Sequence, residues 1–281
     1  MKLAIDSYSY HRYFGHIYDA LELDPGVRWT MNDFIAHANE LGVSGVSIES
    51  CFLPDLSQKE VKQIRELLSQ FELECVWAWG HPSGLHSGKK PEELQDLKRN
   101  VDIAAQIGAT VMRICCGGRR TRPTEWAEHK RVLLPLLLDA VAYAKDRGVV
   151  LAIENHIDFS ADELVELVEL INSPWLGVCL DTANNLRLLE DPQIAIEKLA
   201  PYAKATHIKD VCAYKGNPNE FSFWPSVPVG QGVINIERTF DVLSDHGYKG
   251  LLALEIDYLH PKYSDELTAV RDSIDYMKGL L

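Results

Sequence analysis

Four residues of types that commonly bind metals each follow a short, mostly apolar run in the second half of the chain. They are Glu154, Asp181, His207 and Glu255. Runs of this length, bounded by turn or helix signals, are typical of fully buried parallel strands. A charged group beside a core is costly unless something binds it. Three carboxylates and one imidazole form a ligand set that suits Mn²⁺, Mg²⁺, Co²⁺ or Zn²⁺. We therefore expect one divalent metal ion, with Mn²⁺ as the leading candidate.

Strand-like and helix-like segments alternate along the whole chain and must position these four residues. Strands are predicted at 2–8, 43–50, 73–79, 110–116, 149–154, 177–181, 204–209 and 250–256. Helices are predicted at 30–41, 57–70, 91–107, 124–147, 160–171, 184–199 with an interruption at Pro192, 235–246 and 264–278. This alternation predicts an α/β fold, a single (β/α)8 TIM barrel over residues 1–281, in which the strand ends converge on one face. A doubly wound sheet is disfavoured because no G-x-G-x-x-G turn follows the first strand.

Three connections on the predicted active face are long, namely 9–29, 80–90 and 210–234. Long loops in a compact domain are usually lids or binding loops. The last one is rich in aromatic residues and glycine, so it is expected either to cover a small polar substrate or to pack on the rim or a partner subunit. A homodimer or homotetramer is compatible with such loops.

The composition excludes several classes of function. The 281-residue chain has a net charge of −13, whereas nucleic-acid binding needs a basic surface. The same charge disfavours anionic membranes as partners, and no apolar stretch approaches the roughly 20 residues that span a bilayer. The first residues show no signal-peptide pattern, and the six cysteines show no C-x-x-C pair. We expect a cytoplasmic enzyme that acts on a small molecule.

Four short motifs resemble those of the xylose isomerase-like barrel superfamily of sugar phosphate isomerases and epimerases. They are IENH at 153–156, LDTAN at 180–184, HIKD at 207–210 and LE at 254–255. The resemblance covers essentially the whole chain. It implies one divalent metal ion held by Glu154, Asp181, His207 and Glu255, with the two glutamates also acting as acid and base.

Some positions differ from the pattern of the ketose 3-epimerases in this superfamily. Those enzymes have a substrate-binding histidine where this chain has Asn184, an arginine at the position of Ala213, and a glutamate at that of Ser160. Most of the family's contacts with free ketohexoses are therefore missing. The apurinic-site endonucleases of the superfamily need three metal ions, more histidines and a DNA-binding surface, which this acidic chain lacks.

The predicted ligand set supports more than one reaction. A metal ion there could polarise the carbonyl of a hydroxy-ketone and stabilise the enediolate formed when a neighbouring proton is lost. Glu154 and Glu255 would flank the substrate as base and acid, which predicts an isomerase or epimerase. Decarboxylation uses the same enolate, and the YSYH sequence at 8–11 with ENH at 154–156 resembles 3-oxo-isoapionate decarboxylases. A non-catalytic sugar-binding barrel is disfavoured because all four ligands are present.

Five further residues are predicted to contact substrate. Glu49 and Arg113 end or line strands, and they are expected either to bind substrate or to form ion pairs, with Glu49 or Glu154 as the partner of Arg113. Lys209 lies two residues after His207 and hence on the same inward face. His156 bears the same relation to Glu154, and could instead support the metal ligands. His81 follows the third strand and is expected to contact substrate or to be held in its loop.

Overall fold

The computed structural model describes residues 1–53 and 56–281, in which parallel strands alternate with helices. The strands are β1 (Lys2–Asp6), β2 (Gly45–Glu49), β3 (Glu74–Trp79), β4 (Val111–Ile114), β5 (Val150–Glu154), β6 (Leu176–Asp181), β7 (Ala203–Ile208), β8 (Asp210–Val211), β9 (Ser226–Val227) and β10 (Leu251–Leu254). The α-helices are α1 (Met31–Glu40), α2 (Gln58–Gln70), α3 (Glu93–Ile107), α4 (Trp126–Lys145), α5 (Ala161–Ile171), α6 (Pro192–Leu199), α7 (Ile236–Asp245) and α8 (Glu266–Lys278). The predicted alternation is confirmed.

Eight of the strands form a closed parallel barrel in the order β1-β10-β7-β6-β5-β4-β3-β2. The first and last barrel strands pair directly, with Lys2 opposite Leu251 and Ile5 opposite Leu254, which closes the ring. The fold is therefore the predicted (β/α)8 barrel. The two remaining strands, β8 and β9, form a short antiparallel ribbon in the connection between β7 and α7.

The side chains that point into the barrel are small at mid-height and polar at the C-terminal end. A cluster of buried residues fills the interior, formed by Ala4, Val76, Ala152, Cys179, Ala205, Leu251 and Ala253. Because side chains alternate along a strand, the next inward position lies two residues further on. For Ala152, Cys179, Ala205 and Ala253 that position is occupied by the four predicted metal ligands.

Four of the eight predicted helix starts coincide with residues that cap a helix. Thr30, Ser57, Ser160 and Asn235 each accept a hydrogen bond from a backbone N–H of the first turn. Such caps satisfy backbone donors that have no partner within the helix, which fixes where each helix begins. The helices lie outside the barrel, where a larger apolar cluster fills the layer between helices and strands.

Predicted and observed bounds mostly differ by one or two residues, and two of the differences have a clear local cause. The strand predicted to end at Tyr8 ends at Asp6, because the Asp6 carboxylate accepts the Tyr8 N–H at 2.6 Å and starts a 3-10 helix over Ser7–Phe14. The helix predicted over 184–199 is a 3-10 helix at Asn184–Leu188 followed by α6, which starts at Pro192. Proline suits the first turn because the missing N–H would have no helical partner there.

No helix among the described residues is long and apolar enough to cross a membrane.

Candidate metal centre

The ends of four barrel strands bring the predicted ligands together. Glu154 and Asp181 are the last residues of β5 and β6, His207 lies near the end of β7, and Glu255 directly follows β10. Asp181 pairs with His207 in the register of β6 and β7. The four side chains therefore converge because their strands are in the ring order β5, β6, β7 and β10.

One ligand atom from each of these four residues lies within 4.8 Å of the others. All four residues are buried, and none is more than 6% exposed. His207 Nδ1 lies 2.8 Å from Glu255 Oε2 and 3.6 Å from Glu154 Oε1. This buried nitrogen makes no hydrogen bond with any described residue. Three buried carboxylates and an imidazole nitrogen without a hydrogen bond form a donor set that suits one divalent ion.

The loop after β6 fixes the direction of the Asp181 carboxylate. Its Oδ1 accepts the backbone N–H groups of Ala183 and Asn184, both at 2.8 Å. The backbone of Asp181 is bound in turn by the Asn155 amide, which donates to Asp181 O at 2.7 Å and accepts from Asp181 N at 2.8 Å. The Asp181 Oδ2 atom is thereby turned toward the cluster and Lys209.

A buried lysine lies against the same carboxylates. Lys209 Nζ is 3.0 Å from Asp181 Oδ2, 3.1 Å from Glu255 Oε2 and 2.8 Å from Asp257 Oδ2. Burial lowers the pKa of Lys209, but the three carboxylates outweigh that effect and raise it well above its usual value. Lys209 is therefore a fixed cation beside two of the predicted ligands.

The two glutamates have opposite electrostatic surroundings. Burial raises the pKa of Glu255 to about 7, against the opposing effect of His207 and Lys209. Burial acts in the same direction on Glu154, but Arg113 and His207 hold the pKa of Glu154 well below its usual range. Pairs of carboxyl groups whose pKa values are pushed apart are typical of acid and base partners in active sites.

Arg113 and Glu49 form a buried ion pair next to Glu154. The Arg113 guanidinium contacts the Glu49 carboxylate and lies 3.3 Å from Glu154 Oε2. It also donates to Trp79 O at 3.2 Å. The structure thus shows the ion pairs that the sequence offered as the alternative to substrate binding.

A cavity of about 210 Å³ opens directly onto this cluster. Four of the five predicted substrate contacts line it, namely His81, Arg113, His156 and Lys209, whereas Glu49 does not. His81 Nε2 is 3.1 Å from the Tyr8 hydroxyl, and burial lowers the pKa of His81 to about 3, so this ring is neutral. His156 Nδ1 lies 3.0 Å from Gly117 O, consistent with the ring donating this hydrogen bond.

A larger cavity of about 630 Å³ lies at the other end of the barrel. It is lined by residues at the N-terminal ends of strands, including Glu74, Val111 and Leu251, and it contains none of the four predicted ligands. Catalytic groups in barrels of this kind lie at the C-terminal ends of the strands. We therefore assign the functional site to the smaller cavity.

Several residues at the site were not predicted from the sequence. Asp6 Oδ2 lies 3.4 Å from His207 Nε2, on the side of the ring away from the other ligands. Asp6 ends β1 as the predicted ligands end their strands, so the same pattern could have identified it. Arg187 lines the cavity from the 3-10 helix after β6 and Tyr18 lines it from the first long connection, and neither position carries a periodic signal in the sequence. Phe221 also lines it, from the 210–234 connection that was expected to cover a substrate.

Comparison with known proteins also indicates a TIM barrel, in agreement with the observed fold. The sequence model of the family described as xylose isomerase-like TIM barrel matches residues 35–280. L-ribulose-5-phosphate 3-epimerase UlaE of Escherichia coli O157:H7 is 25% identical over 59% of this chain and 57% of its own length. Inosose dehydratase 1 of Bacillus cereus is 22% identical over 82% of this chain and 87% of its own. The chain spans less than two thirds of the length of the curated relatives that it matches at 25% identity.

A solved structure with the same fold is that of a xylose isomerase-like TIM barrel protein from Mycobacterium smegmatis in complex with magnesium. It superposes with a TM-score of 0.71 at 17% identity and covers 99% of this chain and 96% of its own. The family model spans most of the chain, including all four strand ends that form the cluster. This chain therefore belongs to the xylose isomerase-like TIM barrel family.

Proposed function

We propose that this protein is a divalent-metal-dependent isomerase or epimerase of a small hydroxy-keto sugar or sugar derivative. The observation that carries the proposal is the convergence of four buried ligand atoms within 4.8 Å beside a small cavity. The names of two relatives, a sugar-phosphate epimerase and an inosose dehydratase, support carbohydrate chemistry at the same kind of site.

Glu154, Asp181, His207 and Glu255 would hold one ion, with Mn²⁺ as the leading candidate and Mg²⁺, Co²⁺ or Zn²⁺ as alternatives. When bound, a divalent ion polarises a carbonyl and stabilises negative charge that develops on adjacent oxygens. The magnesium complex of a protein with the same fold supports a divalent ion in this chain, without fixing which one.

Glu154 and Glu255 would exchange protons with the carbons next to the substrate carbonyl. The two carboxylates have different fixed neighbours, Arg113 beside Glu154 and Lys209 beside Glu255. We assign one of them to remove the proton and the other to return it. Returning the proton to the opposite face gives epimerisation, and returning it to the neighbouring carbon gives isomerisation.

The residues that line the cavity would bind and orient the substrate. His81, His156 and Lys209 present polar atoms to it, while Arg113 lines it and holds Glu154. We assign Glu49 to position Arg113 rather than to touch substrate, because its carboxylate is fully buried against that guanidinium.

A second candidate is a decarboxylase of a 3-oxo sugar acid, such as 3-oxo-isoapionate, that uses the same site. The buried cation of Lys209 favours it, because an ammonium group next to the predicted metal ligands can bind a substrate carboxylate. Loss of carbon dioxide would generate the same enolate, which then needs only a proton donor such as Glu255.

We further propose a homodimer or homotetramer located in the cytoplasm. All six cysteines are free thiols, which fits a reducing compartment. Size-exclusion chromatography with light scattering would test the assembly.

Proton NMR in D₂O tests both candidate reactions. The metal-loaded enzyme would be incubated with ketoses, inososes and 3-oxo sugar acids, with chelator-treated enzyme as the control. Deuterium entering a carbon next to the carbonyl of an intact skeleton is the result expected for an isomerase or epimerase. Deuterium in a new CH₂ group with loss of the carboxyl carbon would identify the decarboxylase. Absence of exchange across the panel would contradict both.

Glu255→Gln should abolish turnover and leave the fold intact. The amide has the shape of the carboxyl group but cannot exchange the proton, so the rate of deuterium incorporation should fall by about 10²–10⁴-fold. Circular dichroism would check the fold, and Glu92→Gln on the exposed surface is the matched control. Normal turnover by Glu255→Gln would remove this residue from the mechanism.

A further inference from the structure

We propose that Arg187 forms a subsite for an acidic group of the substrate, a carboxylate or a phosphate. The natural substrate would then be an acidic sugar derivative rather than a free ketose. This inference rests on the proposed function and names the substrate class of the same site.

Arg187 is a buried guanidinium that is held rigidly at the wall of the cavity. The residue is 5% exposed and follows Asp181 by six positions, in the loop after β6. Its Nη1 donates to Asn184 Oδ1 at 2.6 Å and its Nη2 to Asp257 Oδ2 at 3.2 Å. The Phe221 ring lies 4.8 Å from the guanidinium carbon. The group is therefore fixed in direction before any ligand arrives.

One nitrogen of this guanidinium has no hydrogen-bond partner among the described residues. Arg187 Nε is buried and makes no hydrogen bond with any described residue. A buried donor without a partner is costly, and native proteins retain few of them. Because the Arg187 side chain lines the cavity, an oxygen of a bound ligand is a natural partner. Arginine suits this role since its planar fork matches the oxygens of carboxylates and phosphates.

The position of Arg187 links the acid subsite to the reacting end of the substrate. Asn184 bridges the two, accepting from Arg187 and donating its Nδ2 to Glu154 Oε1 at 3.0 Å. Arg187 is thus one side chain away from a proposed metal ligand and acid-base group. A molecule of a few carbons could place its hydroxy-ketone at the ligand cluster and its acid group at Arg187.

The charges around the cavity leave room for an added anion. Arg187 and Lys209 share the carboxylate of Asp257. The other carboxylates that contact Lys209 belong to Asp181 and Glu255, two of the proposed metal ligands. Lys209 is therefore shared among three carboxylates, whereas Arg187 contacts one carboxylate and one neutral amide oxygen. Of the two cations, Arg187 is the one that can accept a further anion.

An alternative role for Arg187 is to hold Asn184 and Asp257 in place without touching substrate. The two roles predict different binding data. A purely structural arginine would affect neutral and acidic ligands alike, whereas an acid subsite affects only acidic ones.

The test compares three probes that share one hydroxy-ketone fragment, namely dihydroxyacetone, hydroxypyruvate and dihydroxyacetone phosphate. Isothermal titration calorimetry on the Mg²⁺-loaded enzyme would give the dissociation constant of each. We expect the wild-type protein to bind at least one acidic probe about 10- to 100-fold more tightly than dihydroxyacetone, the range of a hydrogen bond to a charged group. The probe that binds better distinguishes a carboxylate from a phosphate source.

In Arg187→Gln, the preference for the acidic probe should fall by about tenfold or more, while the dissociation constant of dihydroxyacetone and the metal content stay within about twofold. Arg187→Lys keeps the charge and should retain part of the preference, which guards against a folding defect in the first variant. Arg120→Gln removes the same charge from an exposed position of the loop after β4 and should leave the preference intact.

Equal binding of all three probes by the wild-type protein would overturn the inference. So would an equal loss for neutral and acidic probes in Arg187→Gln, or an equal effect of Arg120→Gln. Because binding is measured without turnover, these results are independent of the deuterium exchange that tests the proposed reaction.

Discussion

At the scale of single residues, His207 contacts carboxylates through both of its ring nitrogens. Nδ1 faces Glu154 and Glu255, and Nε2 lies 3.4 Å from Asp6 Oδ2. Metal-binding histidines usually direct their second nitrogen to a carboxylate, which fixes the tautomer and strengthens the ligand. His207 Nε2 and Asp6 Oδ2 make no hydrogen bond with any described residue, so we expect Asp6, on the strand that closes the barrel, to act on His207 through its charge.

Asp6→Asn should weaken metal binding while leaving all four proposed ligands in place. The amide can still accept the Tyr8 N–H through its oxygen, but it removes the negative charge next to His207. We expect the dissociation constant for Mn²⁺, measured by calorimetry, to rise by about 10- to 100-fold. Asp24→Asn in an exposed loop serves as the control, and an unchanged constant for Asp6→Asn would argue against this role.

At the scale of elements, one aspartate holds the long connection between β8 and α7. The Asp210 carboxylate accepts the backbone N–H groups of Val211, Gly230, Gly232 and Ile234 at 2.8–3.1 Å. A Cβ at residue 232 would lie 2.1 Å from Asp210 Oδ1, so glycine is required there. The connection carries Phe221 to the cavity wall.

Asp210→Ala should loosen this connection more than the barrel. Four backbone donors lose a charged acceptor, and we expect the free energy of unfolding to fall by about 1–3 kcal/mol. Hydrogen exchange of residues 212–233 should accelerate, as measured by mass spectrometry, while the barrel strands stay protected. Asp241→Ala on exposed α7 is the comparison. Uniform acceleration throughout the chain would show that Asp210 supports the whole barrel instead.

The loop after β5 contains a carboxyl group that the fold keeps protonated. Asp158 is fully buried, neither of its oxygens has a hydrogen-bond partner among the described residues, and burial raises its pKa from 3.8 to about 8. Between those pH values the unfolded chain binds fewer protons at this residue than the folded chain. Rising pH therefore favours unfolding across this range.

Asp158→Asn should stabilise the protein at pH 7, because the amide is neutral in both states. We expect a gain of about 2–4 kcal/mol at pH 7 that shrinks towards zero near pH 4. Urea unfolding at the two pH values would measure it, with Asp245→Asn on the surface as the reference. A gain that is the same at both pH values would exclude titration of Asp158 as its cause.

How far the sequence predicts these features depends on whether local pattern or tertiary contact determines them. The barrel and the convergence of Glu154, Asp181, His207 and Glu255 follow from periodicity, since each ends a buried run. The direction of Arg187 does not, because it is set by a contact with Asn184 in the same 3-10 helix and by one with Asp257 from a distant part of the chain. The sequence offered Glu49 or Glu154 as the partner of Arg113, and the register of β2, β3, β4 and β5 explains why Arg113 contacts both.

At the scale of the whole molecule, the closed ring brings acidic groups from both ends of the chain to one point. Asp6 lies on the first strand and Glu255 directly after the last, and the two strands pair only because the barrel closes. Burying carboxylates this close opposes folding unless cations compensate them. Arg113 and Lys209 supply two such cations from within the chain, and a divalent ion would add the largest single charge.

Metal loading should therefore raise the thermal stability of the whole protein. An ion that binds the folded but not the unfolded chain stabilises by about 2.7 kcal/mol at a hundredfold excess over its dissociation constant, or about 5–8 °C in Tm for a chain of this size. Differential scanning calorimetry of chelator-treated protein titrated with Mn²⁺ would measure this shift. His207→Ala removes one ligand and should show a much smaller shift. An equal shift in that variant would place the stabilising ion elsewhere on this acidic surface, because the cluster would then be dispensable for binding it.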